Sequence, residues 1–148
     1  MVVLGIDPAV AKPLGYGLVA FEDHLVFKQG GLCAYMDIPD ILADLKPDLV
    51  VIEDQYMFQN YNTAKKLAWS AGKLMGMCAM MKVPNCIINV AHWKKIMGAQ
   101  KQDKKDKTAH IRRCKEIFGL DLQDDVASAV LIASAYLTEN LSCGIIKV

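Results

Sequence analysis

The sequence is poor in the features that would make its class obvious. It has five cysteines, an odd number, at 33, 78, 86, 114 and 143, with no CxxC spacing among them. That excludes a disulfide framework and a zinc knuckle, and it suits a reducing compartment. No apolar run reaches membrane-spanning length without interruption. The N-terminus has no basic segment followed by a cleavable apolar stretch, so the chain is expected not to be secreted. Internal repeats and inter-domain linkers are missing too. Net charge is nearly absent at +1. Yet between Lys94 and Lys115 stand nine Lys or Arg against the two acids Asp103 and Asp106, a local net charge of +7 that leaves −6 for the rest. A basic stripe on a near-neutral chain is a footprint for a polyanion; its plain alternative is a solvated helix face with a loop.

What is present is a 53% hydrophobic chain of 148 residues, enough for one core and expected to form a single domain over 1–148. Residues 2–7, 15–21 and 24–35 read as three strands with short connections, hence an antiparallel meander. A helix over 38–45 stops before Pro47. Residues 49–53 are apolar without alternation, as in a strand covered on both faces. A long helix follows over 62–82, then a strand at 85–90 and a short helix at 92–97. The stretch 99–106 lacks an apolar anchor and is expected to be a loop. Helices over 108–118, stopped by Gly119, and 124–141 complete the order.

Three carboxylates occupy awkward places in this pattern. Asp7 ends the first strand, Glu53 ends the fourth, and Asp125 opens the last apolar helix. Strand ends and a helix start that carry carboxylates are how a fold gathers oxygen ligands around a hard divalent cation. This points to metal-dependent phosphoryl transfer. Each acid taken alone has a simpler explanation, a cap or a turn; Asp125, with Asp124 beside it, suits a helix N-terminus by charge alone. His24 and His110 are expected at the surface, and His92 in a structural role rather than as a general base.

The helix over 62–82 needs separate treatment. Its segment 67–81 (LAWSAGKLMGMCAMM) is apolar or small nearly all round, with Lys73 its lone charge. Leu67, Ala71, Leu74 and Cys78 can face the sheet, while Met75, Met77, Met80 and Met81 need another cover. Gly72 and Gly76 permit close helix approach. The two candidate covers are the final helices of the same chain and, the preferred one, a second copy through Gly72, Met75, Gly76 and Met77.

The order of elements and acids is that of a ribonuclease H-like α/β fold, a five-stranded mixed sheet flanked by helices. Gly5-Ile6-Asp7-Pro8 followed by Gly15-Tyr16-Gly17 resembles the opening of RuvC-type Holliday junction resolvases. Val51-Ile52-Glu53-Asp54-Gln55-Tyr56-Met57, with Asn60, Ala64, Leu67 and Gly72, is similar to that family's second block, and Asp125-Val126-Ala127-Ser128-Ala129-Val130 to its last. The resemblance spans nearly the whole chain and implies a structure-selective endonuclease, a homodimer that nicks four-way DNA in pairs. It implies two Mg²⁺ ions per site, replaceable by Mn²⁺, with Asp7 bridging and Glu53 and Asp125 each holding one. It implies no small-molecule cofactor and no membrane, and a cytoplasmic location or one in a virus-infected host cell or an organelle.

The family's fourth acid is replaced by Ser128, whose hydroxyl can reach a metal only through water; Asp124, one turn earlier, is the candidate substitute. Tyr56 falls where the family places a base-stacking aromatic, a contact worth about 1–3 kcal/mol. Lys94 or Lys95 resembles a basic residue near the scissile phosphate. Lys104, Lys105 or Lys107 would supply a second, and Arg112 and Arg113 continue toward the duplex arms, all as phosphate contacts. Three alternatives stand beside this one. A junction-binding protein with weakened or absent catalysis is suggested by Ser128. A YqgF-like RNA nuclease would keep the opening motif but favour RNA, and the Ile52–Tyr56 block with its aromatic favours the resolvase branch. A sugar-kinase-like ATPase needs a second domain for which there is no room.

Overall fold

The structure is a computed structural model, and it describes residues 1–9, 12–54, 61–100 and 108–142. Five strands, β1 (Val2–Asp7), β2 (Leu14–Phe21), β3 (Leu25–Cys33), β4 (Leu49–Asp54) and β5 (Asn85–Asn89), form one sheet in the order β3-β2-β1-β4-β5. The meander β1-β2-β3 is antiparallel, and β4 and β5 add in parallel. Among the described residues five α-helices flank it: α1 (Ile38–Leu45), α2 (Tyr61–Met80), α3 (Val90–Ile96), α4 (Ala109–Phe118) and α5 (Asp124–Ser142).

Strand alternation divides the core in two. Val3, Val19, Leu49 and Val51 pack on one face with Trp93, Cys114 and residues 126–137 of α5. Leu4, Ile6, Val50 and Ile52 pack on the other with Ile38 and Leu42 of α1 and Leu74 and Cys78 of α2. Both faces of the central strands are therefore covered, which explains their unbroken apolar runs.

Seating α5 depends on missing side chains. A Cβ at Gly5 would stand 1.9 Å from the Ala129 carbonyl oxygen, one at Gly15 2.2 Å from that of Asp125, and one at Gly17 2.5 Å from a Val130 methyl. These glycines form a trough in β1 and β2 into which the helix backbone sinks. Among the described residues nothing lies within 4 Å of a Cβ placed at Gly72 or Gly76 on α2.

The structure decides against one of the two expected covers for α2. The final helices lie on the opposite face of the sheet and cannot bury it. Its outer surface stays open: Tyr61, Trp69, Met75 and Met80 are exposed, as is Met81 just beyond the helix. Met77 is only half-buried and packs toward the core with Ala71. Among the described residues no helix is long and apolar enough to cross a membrane.

Candidate carboxylate active site

Asp7 follows Gly5 and Val3 on the α5 side of β1 by alternation, and Glu53 follows Val51 in the same way on β4. The parallel register Gly5↔Val51 and Ile6↔Ile52 brings the two strand ends side by side. Asp125 arrives from above, because Gly15, the β2 partner of Asp7, lies directly beneath the Asp125 backbone. Three segments far apart in sequence thus meet at one end of the sheet.

The meeting is electrostatically uncomfortable. Burial, then the charges of Glu53 and Asp125, push the Asp7 carboxyl up to about 8, with Lys12 pulling the other way. Burial also raises Glu53, opposed first by the hydrogen bond from Trp93, then by the charge of Lys94 and a hydrogen bond with Asp7. Desolvation and the nearness of like charges both disfavour the ionised forms here, and an opposite charge brought between the two carboxylates would favour them. Glu53 is itself buried and receives the Trp93 Nε1–H at 2.8 Å. Trp93 is fully buried, and a buried indole N–H needs such an acceptor. It therefore fixes where Glu53 points.

Carboxylate oxygen donors gathered in one crowded cluster fit a hard divalent cation. The side chains are not yet arranged as a cage, however. Among the described residues no group of three or more His, Cys, Asp or Glu is set to hold a metal. Asp125 is engaged by Lys12, whose Nζ donates to both carboxylate oxygens at 2.7 Å. Asp124 pairs with His110 Nε2, though its charge still reaches Asp7. The expectation that His110 lies at the surface is therefore corrected: it is buried where α4 packs on α5, and Asp124 satisfies its ring nitrogen. His92 is exposed and meets Glu139 at 2.8 Å. Ser128 is buried, three residues after Asp125 and on the same side of α5.

The basic residues separate by their contacts. Lys94 is half-buried over the Trp93 ring and acts on Glu53, while Lys95 is exposed. Arg112 is exposed on α4. Arg113 is committed to a structural clasp: its Nε donates to the Met97 carbonyl at 2.6 Å and its Nη1 to Glu116 at 2.9 Å. Tyr56, Lys104, Lys105 and Lys107 lie outside the described residues, as does most of the expected loop at 99–106. Lys12 and Trp93 are the two site residues that the sequence did not reveal. Trp93 had a signal, since an indole on a short apolar helix beside a strand-end acid needs a partner. Lys12 had none beyond its place in the loop after Asp7.

A mixed five-stranded sheet of this order, with helices on both faces and carboxylates gathered at the ends of β1, β4 and the start of α5, is a ribonuclease H-like fold. No family model matches the sequence. Curated relatives nevertheless align over almost its whole length. The crossover junction endodeoxyribonuclease RuvC of Thermomicrobium roseum is 23% identical over 150 residues, covering 92% of this chain and 92% of that protein. That of Alkaliphilus metalliredigens is 26% identical over 149 residues, covering 90% of each. In three dimensions, the Thermus thermophilus RuvC in complex with a Holliday junction substrate superimposes with a TM-score of 0.80 at 21% identity, covering 97% of both chains. The fowlpox virus Holliday junction resolvase gives a TM-score of 0.66 at 12% identity, covering 94% of this chain and 99% of that one. The chain is RuvC-like in sequence and in fold.

Proposed function

We propose that this chain is a single-domain, structure-selective endonuclease that resolves four-way DNA junctions by paired nicks. The observation that carries the reading is the Asp7–Glu53–Asp125 cluster, in which burial and mutual repulsion raise Asp7 and burial raises Glu53, while Lys12 and Lys94 only partly offset the charge. Asp7, Glu53 and Asp125 would hold the divalent cations, Mg²⁺ or Mn²⁺ in its place. Such ions, when bound, supply the charge that activates water and stabilises the oxygen leaving phosphorus.

The chain's own groups do the positioning. Trp93 holds Glu53 in place. The glycine trough fixes the start of α5 against Asp7. Lys94, beside Glu53, is the better placed of the two candidate lysines to meet a scissile phosphate, and the exposed Lys95 and Arg112 extend the positive surface toward duplex arms. Arg113 supports this surface through its clasp. Tyr56, Lys104, Lys105 and Lys107 complete the proposed DNA contacts from segments flanking the site. A second copy covers α2 through Tyr61, Trp69 and Met75, with Gly72 and Gly76 allowing close approach; Met77 supports that surface from beneath. Two-fold symmetry then presents two sites to two strands. Such work places the protein in a compartment that holds DNA, the cytoplasm of a bacterium being the first choice.

The test is a synthetic four-way junction. Wild type nicks it in Mg²⁺ and not in EDTA, while Asp7→Asn binds but does not nick. One observation favours a second reading, that of a junction-binding protein with weak catalysis: Ser128 stands in place of a fourth acid. That reading predicts junction binding with no nicking in either Mg²⁺ or Mn²⁺.

A further inference from the structure

The loop between β1 and β2 brings one cation to the cluster. Lys12 Nζ donates to both oxygens of Asp125 at 2.7 Å, and its charge also favours the ionised form of Asp7. The lysine side chain is 60% exposed and that of Asp125 is 22% exposed. Lys12 therefore grips the carboxylate from the solvent side, on a flexible stem with room to withdraw. Both oxygens of Asp125 accept from this ammonium, so a cation arriving beside Asp7 and Glu53 meets a carboxylate whose charge is already paired.

We infer that Lys12 is a resident placeholder cation, which holds Asp125 in the ion-free protein and must leave before a divalent ion is held there. The inference rests on the proposed role of Asp7, Glu53 and Asp125 as cation ligands. An ammonium is a compact point charge, and it satisfies a carboxylate without fixing its geometry. An exposed ion pair of this kind contributes little free energy, so a divalent ion can displace it. The placeholder limits repulsion around Asp7 when no ion is present. Its cost is competition: the ion on the Asp125 side binds more weakly than the ligands alone would allow. Ser128 adds to that weakness, because no fourth carboxylate helps expel the lysine. Once displaced, Lys12 stays at the rim of the site, carrying a positive charge on the side open to solvent.

The experiment is Mn²⁺ binding by calorimetry on the full chain without DNA, for wild type, Lys12→Met and Lys12→Arg. Lys12→Met is expected to tighten Mn²⁺ about three- to tenfold, and Lys12→Arg to stay near wild type, since it restores the competing charge. In an Asp125→Asn background Lys12→Met should bring no gain. Thermal melts give an independent readout. In EDTA, Lys12→Met should melt about 1–3 °C below wild type, and saturating Mg²⁺ should erase the gap. Unchanged or weaker Mn²⁺ binding by Lys12→Met, or an equal gain without Asp125, overturns the placeholder. If Asp7→Asn weakens Mn²⁺ binding while Lys12→Met does not tighten it, the placeholder alone fails. If Asp7→Asn leaves Mn²⁺ binding untouched, the ligand assignment fails and the placeholder falls with it.

Discussion

The two long helices lie on opposite faces of one sheet and are held by it in opposite ways. α5 sinks into a trough of glycines, and from Val126 to Ala135 every residue is buried. α2 buries only Ala64, Ser70, Leu74 and Cys78 and leaves Trp69, Met75 and Met80 in the open. α5 carries a site residue at its first turn, and the cluster forms only if that turn cannot move. α2 carries no acid of the cluster. Its exposed apolar stripe costs solubility unless something covers it. One helix is fixed by the sheet along its whole buried face; the other keeps an apolar face exposed, which is the surface the proposed second copy would cover.

The comparison breaks most easily at the trough. Gly5→Ala puts a methyl group against the Ala129 backbone, which cannot yield as a side-chain tip could. A loss of about 1–3 kcal/mol or more in chemical denaturation is expected, with nuclease activity lost alongside, because α5 must lift away from β1. The same change on the other helix, Gly72→Ala, meets open space within the chain. It should stabilise an isolated chain by up to about 1 kcal/mol through helix propensity.

The charge stored at the cluster sharpens the contrast. Asp7 has its carboxyl raised to about 8 from 3.8. The folded state therefore binds a proton there that the unfolded state has lost between those values. The associated stability is fully present below about pH 4 and is lost as pH rises through about 8. Asp7→Asn removes this penalty. In EDTA it should stabilise the protein by about 2 kcal/mol at pH 8.5 and by little at pH 4, and Mg²⁺ should reduce the advantage by stabilising wild type. An unfolding series across this pH range reads it directly.

The smallest expected effect concerns α2. Met75→Lys should leave the fold intact, since residue 75 is exposed within the chain, and should shift sedimentation from dimer to monomer, because the charge would be desolvated in the interface. A wild-type chain that sediments as a monomer at micromolar concentration would remove the assembly role of α2.

Much of this was legible in the sequence because it follows from period and punctuation. The strand-end acids, the stop before Pro47 and the glycine after α4 are local signals, and the three acid-bearing blocks keep their order along the chain. What stayed hidden depends on contacts between distant residues. Nothing in the loop after Asp7 announces that Lys12 reaches a carboxylate 113 residues away. His110 reads as polar and exposed until α4 packs on α5 and Asp124 meets it. The arginine pair at 112 and 113 looks uniform, yet Arg113 is turned inward by the Met97 carbonyl. The apolar girdle of α2 was plain; which neighbour covers it depended on which face of the sheet the last helices occupy.

The central claim is that Asp7, Glu53 and Asp125 act together on a junction phosphodiester with the help of divalent cations. Nicking of a labelled synthetic four-way junction by wild type and Asp7→Asn, each shown to bind the junction, tests it most directly. The account predicts symmetrically paired nicks by wild type in Mg²⁺, none in EDTA, and a rate for Asp7→Asn lower by a factor on the order of a thousand at similar junction affinity. Nicking by Asp7→Asn at the wild-type rate would contradict it.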